Sequence, residues 1–133
     1  MNATLTVRDE TTFGFNADGY DFTISLPAEV VTARELIRER VRQEVEEYNA
    51  RQPEYFRGLV QPTDAERTLN GFRLRRLRAL DWREQYDRAV EAFHRNGFVL
   101  LVDDRQVEDI DALIEVKPRT TVTFLKLIPL VGG

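Results

Sequence analysis

Thr121-Val122-Thr123-Phe124-Leu125-Lys126-Leu127-Ile128-Pro129-Leu130-Val131-Gly132-Gly133 changes character halfway along. In its first half Val122 and Phe124 alternate with Thr123 and Leu125, the period-2 pattern of a strand with one buried face. In its second half Pro129 removes a backbone donor and discourages further sheet pairing. Gly132 and Gly133 follow a few residues later. The spacing predicts a strand that runs out into a short apolar tail whose last two residues lack side chains.

Such a tail has a chemical use. A terminal carboxylate is a poor electrophile until an enzyme activates it, for instance as an acyl-adenylate in a site closed to water. Two glycines pass through a narrow channel where larger residues would clash, because glycine lets backbones approach closely.

The bulk composition narrows the function. A chain of 133 residues is one domain with room for a core, and its net charge of −4 does not suggest general nucleic-acid binding. No apolar run reaches the ~18 residues of a membrane span, so a cytoplasmic protein without a membrane partner is expected. There is no cysteine, hence no disulfide, thiolate zinc site or thioester-forming nucleophile on this chain. The one histidine, His94, is expected near a helix C-terminus rather than in a catalytic dyad. These absences point to a protein that others act on, not an enzyme, with no catalytic residue and no metal ligand set of its own.

Working back from the N-terminus, Ala3 to Val7 reads as a strand, residues 8–19 as a connection containing Phe13 and Phe15, and Tyr20 to Leu26 as a second strand. Phe22, Ile24 and Leu26 share one face of that second strand. Thr32-Ala33-Arg34-Glu35 is a capping box. The helix it opens should run to about Tyr48, with Leu36, Ile37, Val41, Val45 and Tyr48 as its apolar stripe and Glu39, Arg40, Glu46 and Glu47 facing water.

Residues 51–97 differ from the rest. They hold ten arginines against seven acidic residues, a net of +3, which leaves −7 elsewhere. Thr63-Asp64-Ala65-Glu66 predicts a short capped helix. Asp81-Trp82-Arg83-Glu84 predicts a longer one, with Trp82, Tyr86, Val90 and Phe93 as its apolar face, ending near Asn96-Gly97. Arg73-Leu74-Arg75-Arg76-Leu77-Arg78 is a basic cluster, read as a solvated face or as a docking surface for an acidic partner. Phe98 to Val102 is a strand apolar on both faces, ended by Asp103-Asp104. A polar–apolar turn segment from Arg105 to Leu113 precedes the final strand.

The order is then hairpin, helix, inserted region, strand, turn segment, strand, Gly-Gly. It resembles a ubiquitin-like β-grasp with an insertion between its helix and third strand. Val102-Asp103-Asp104-Arg105-Gln106-Val107-Glu108-Asp109 resembles ubiquitin's third strand and the loop after it. Leu113 falls six residues beyond Val107, and the last strand and Gly132-Gly133 match ubiquitin's end. The resemblance covers residues 1–50 and 98–133, and is specific from Phe98 onward. It implies an α+β domain over residues 1–133: a mixed sheet with one packing helix, the first and last strands parallel at its centre, and a mainly helical insertion at 51–97.

The same resemblance implies a protein modifier. An activating enzyme would adenylate Gly133 with ATP and magnesium, the cofactors belonging to that enzyme and none to this chain. The carboxyl would pass to a cysteine there, and then to a conjugating enzyme, before conjugation to a target amine. A processing or deconjugating protease is a further expected partner. Gly132 and Gly133 give access, and Leu127, Ile128, Pro129, Leu130 and Val131 occupy the channel mouth. Ubiquitin has arginines there, so a dedicated activating enzyme is expected. Leu101, Thr123 and Leu125 fall at the positions of ubiquitin's outward patch. Lys117 and Lys126, the only lysines, are candidate acceptors for self-linked chains. Two other readings stay open: a sulfur carrier whose Gly133 becomes a thiocarboxylate, and a non-covalent β-grasp interaction module.

Overall fold

The computed structural model describes residues 2–11, 20–68 and 70–127. Strand β1 (Ala3–Thr11) continues four residues past the expected end, with Leu5, Val7 and Asp9 all turned to one buried face. It pairs antiparallel with β2 (Tyr20–Leu26), Leu5 opposite Ile24 and Val7 opposite Phe22. On its other side β1 pairs in parallel with β9 (Thr121–Lys126), Val7 opposite Val122 and Asp9 opposite Phe124. Beyond β9 lie β6 (Phe98–Val102) and then β7 (Arg105–Val107), each antiparallel to its neighbour. The described residues thus form a mixed five-stranded sheet in the order β2-β1-β9-β6-β7. Asp103 and Asp104 turn the chain from β6 into β7 with φ of 49° and 65°. Positive φ at both central residues suits the right-handed twist of a two-residue hairpin.

Helix α1 (Ala33–Arg51) starts on the expected box: Thr32 Oγ1 accepts from the Glu35 amide at 3.1 Å, and Glu35 Oε1 accepts from the Thr32 amide at 3.5 Å. A short ladder of β3 (Val30–Thr32) against β8 (Leu113–Glu115) seats that end of the helix. The apolar stripe falls where the spacing places it, with Leu36, Ile37, Val41, Val45 and Tyr48 buried. Burying each such side chain contributes roughly 1.5–3 kcal/mol.

Arg40 corrects the expectation. It does not face water but is the largest fully buried side chain. Four residues from both Leu36 and Glu44, it lies on the inner stripe, and carboxylates meet it there.

The inserted region departs from a mainly helical reading. Thr63-Asp64-Ala65-Glu66 is not a helix; it enters β4 (Ala65–Thr68), which pairs with β5 (Gly71–Leu74) as a hairpin. Asp64 sits at φ 57° and Gly71 at φ 127°, neither of them helical. Four residues also offer no apolar stripe to bury, whereas the hairpin lets Phe72 face inward and bridge Phe56. Helix α2 (Trp82–His94) forms as expected, capped by Asp81, whose carboxylate accepts from the Arg83 amide at 3.0 Å. Its inward face is turned slightly from the expected one: Gln85, Ala89, Ala92 and Phe93 are buried, while Trp82, Tyr86 and Val90 are half-buried.

The insertion shares the core of the sheet. Tyr48 meets Phe56 edge-on at 5.2 Å, and Phe56 meets Phe72 at 6.5 Å. On the α2 side Phe93 lies 6.0 Å from Phe98, which lies 5.7 Å from Phe124.

Candidate functional site

The outward face of the sheet carries the three expected patch residues. Leu101 on β6 is opposite Thr123 on β9, and Val99 is opposite Leu125. All four are half-buried, on the face away from α1. Alternation alone sends them there, since Leu100, Val122 and Phe124 point inward. Toward β1 the patch meets Arg8 and Glu10, which pair with Thr123 and Leu125 in register and with each other through a 2.9 Å ion pair. The result is a small apolar strip with a charged border.

The last strand leads to Leu127, whose amide donates to the Gly97 carbonyl at 3.1 Å. Leu127 is half-buried and lines a cleft of about 1490 Å³ that also involves Tyr20, Arg57, Arg67, Phe72 and Arg95. Ile128, Pro129, Leu130, Val131, Gly132 and Gly133 lie outside the described residues, as do Phe13 and Phe15.

The two lysines occupy different surroundings. The Lys117 side chain is 72% exposed, 3.5 Å from Glu115. That of Lys126 is 22% exposed, and Nζ donates to the Gly58 carbonyl at 2.7 Å and lies 3.7 Å from Asp9. Desolvation lowers the pKa of Lys126, opposed by the Asp9 carboxylate. Its amine is engaged beneath the sheet, so Lys117 is the lysine that presents a reactive nitrogen to solvent.

Lys126 belongs to a charge cluster that the sequence reading missed. Arg40 donates through Nη1 and Nη2 to both oxygens of Asp9, and through Nε to Glu44 at 3.1 Å. Its guanidinium lies over the ring of Phe22 at 4.9 Å and over that of Phe124 at 4.5 Å. Glu44 uses its other oxygen to accept the Leu59 amide at 3.0 Å. Burial pushes the Glu44 carboxyl up, with Arg40 working against it. Two cations and two carboxylates balance, and no buried side-chain polar atom among the described residues lacks a partner. The cluster joins β1, α1 and β9 to residues 58–59 of the insertion. Each charge has a partner, and Asp9 and Lys126 also line the cleft beside Leu127; the cluster fastens the insertion to the sheet.

His94 ends α2 as expected, exposed and edge-on to Phe93 at 5.7 Å. Among the described residues no group of three or more histidine, aspartate or glutamate side chains could hold a metal ion. No helix among them is long and apolar enough to cross a membrane. Comparison with known proteins finds no matching family model, no matching curated protein and no matching solved structure.

Proposed function

We propose that this chain is a ubiquitin-like modifier with a β-grasp body, conjugated through the carboxylate of Gly133. The observation that carries the reading is the sheet order β2-β1-β9-β6-β7, with β1 and β9 parallel at its centre and α1 across one face. A β-grasp needs that arrangement: a hairpin, a crossing helix, and a final strand returning between the hairpin and the remaining strands. The final strand then delivers the residues that follow it to one end of the sheet. In the sequence Gly132 and Gly133 come six and seven residues after Lys126.

The reaction balances in three displacements. The Gly133 carboxylate attacks ATP on the activating enzyme, giving the acyl-adenylate and pyrophosphate. A cysteine thiolate of that enzyme displaces AMP and forms a thioester, which a conjugating enzyme can take over. A target amine then displaces the thiolate, forms an amide and loses a proton. The chemistry belongs to the partners; this chain supplies an unhindered acyl group, and Leu101, Thr123 and Leu125 supply a strip to grip. Leu127 to Val131 give the tail an apolar approach, which suits an activating enzyme different from one that reads arginines.

The test uses the position of Lys126. It is the last tryptic site before the C-terminus, so conjugation to Gly133 leaves Leu-Ile-Pro-Leu-Val-Gly-Gly on a target lysine after digestion. Mass spectrometry of digests from cells that express the chain should find lysines carrying that remnant. Recovery of only the free C-terminal peptide would contradict conjugation. A C-terminus with one oxygen replaced by sulfur would favour the sulfur carrier instead.

A further inference from the structure

The segment between β5 and α2 crosses the surface of the insertion without regular structure, yet both its ends are fastened. The Arg75 amide donates to the Asp64 carbonyl at 3.0 Å. At the other end Asn49 brackets Leu80, accepting its amide at 2.8 Å and donating to its carbonyl at 2.9 Å. Between them Arg78 donates to the Thr63 carbonyl. Leu74 is half-buried and Leu80 is buried, but Leu77, midway, is 76% exposed, the most exposed of the large apolar side chains described.

Leu77 is flanked by charge that the fold leaves unused. Arg73 shares Glu66 at 3.4 Å. The Arg75 and Arg76 side chains are exposed, and neither has an ion-pair or hydrogen-bond partner among the described residues. The backbone groups of residues 76–79 are likewise without partners among the described residues. A lone exposed leucine is unremarkable. A leucine held out by a pinned segment, directly after two guanidinium groups without described partners and beside open backbone groups, is a preorganised contact surface.

We propose that residues 75–79 dock an acidic segment of a partner protein that carries an apolar side chain. Free guanidinium groups match carboxylates in paired, two-bond geometry. The net charge of +3 over residues 51–97, opposite in sign to the rest of the chain, steers an acidic partner to this side of the molecule. Leu77 favours a protein over a nucleic acid, since a phosphate backbone offers it no apolar contact. None of residues 75–79 belongs to the set proposed for conjugation, so this proposal and that one are tested separately.

The probe is a labelled peptide of alternating glutamate and leucine, titrated by fluorescence anisotropy against the full chain. Poly-glutamate and single-stranded DNA of equal charge serve as comparisons. The alternating peptide should bind saturably, and binding should weaken as salt rises. Leu77→Ser should weaken it several-fold, and Arg75→Gln with Arg76→Gln about tenfold, the loss of about 1.4 kcal/mol. Amide chemical shifts of the unmodified protein should move at 76–79 on titration and stay fixed at Leu101 and Leu125, which tests the site without any substitution. Removal of Gly133 should leave binding unchanged. Absent or unsaturable binding, shifts confined to the sheet, indifference to the arginine changes, or DNA or poly-glutamate binding as tightly as the alternating peptide would each overturn the proposal.

Discussion

Arg40 on α1 closes a two-bond pair with Asp9 on β1, Nη2 to Oδ2 at 2.7 Å, with its own side chain 0% exposed and that of Asp9 9%. A charge taken so far from water is tolerated only while its partner stays. Arg40→Met takes the paired cation from the carboxylates of Asp9 and Glu44, and Asp9→Leu takes the two-bond partner from a guanidinium left with Glu44 alone. Each should cost about 3–5 kcal/mol in denaturant unfolding. The double variant should lose clearly less than the sum of the two, because the second change removes a charge that has already lost its two-bond partner. Simple additivity would show that the pair is not coupled.

Glu44 gives the cluster a pH signature. Burial raises its carboxyl above the ordinary range. A carboxyl that holds its proton more tightly when folded contributes stability below its unfolded value, and loses it as pH rises through the folded one. Other carboxylates titrate in the same window, so the informative quantity is the difference from Glu44→Gln. Unfolding free energy of the natural chain minus that of the variant should fall with pH above the usual glutamate value of about 4.3, with a slope of at most about 1.4 kcal/mol per pH unit. A difference that rises with pH there would mean that Arg40 outweighs burial at this site.

Gly58 is where the insertion meets the cluster. Its carbonyl accepts from Lys126, and a Cβ placed on it would lie 2.1 Å from the Phe56 ring. Phe56 is buried between Tyr48 and Phe72 and has little room to retreat. Gly58→Ala should therefore destabilise the whole domain by about 1–3 kcal/mol, the usual range for overpacking. A single cooperative transition shifted to lower denaturant is the expected curve. An early separate transition would show the insertion unfolding on its own.

Much of this fold was legible because its signals are local. The capping box at Thr32, the period-2 alternation of β2 and β9, and the Asp81 cap of α2 each depend on neighbours in sequence. What escaped depends on distance or on a competing signal. Arg40 reads as a solvated helix residue until Asp9, 31 positions away, is placed opposite it. The clue was present: Asp9 continues the buried face of Leu5 and Val7, while Arg40 sits within the stripe of Leu36, Ile37 and Val41. Opposite charges on two apolar faces ask for each other. The β4–β5 hairpin was missed because Thr63 and Glu66 imitate a helix cap, while the stronger signal was Asn70-Gly71, a pair that favours tight turns. Of the candidate site, alternation set Thr123 and Leu125 apart from Val122 and Phe124, while Leu101, in a strand apolar on both faces, was marked as outward only by the resemblance. The engagement of Lys126 could not be read, because its partners come from the far-off Asp9 and Gly58.

The most direct test of conjugation is reconstitution. The full chain is incubated with ATP, magnesium and the adenylating enzyme suited to its tail, and intact masses are measured with and without a thiol reductant. A reductant-sensitive adduct between this chain and an enzyme cysteine is expected, and it should vanish when Gly133 is removed. An adduct that persists undiminished without Gly133 would contradict activation at that carboxylate.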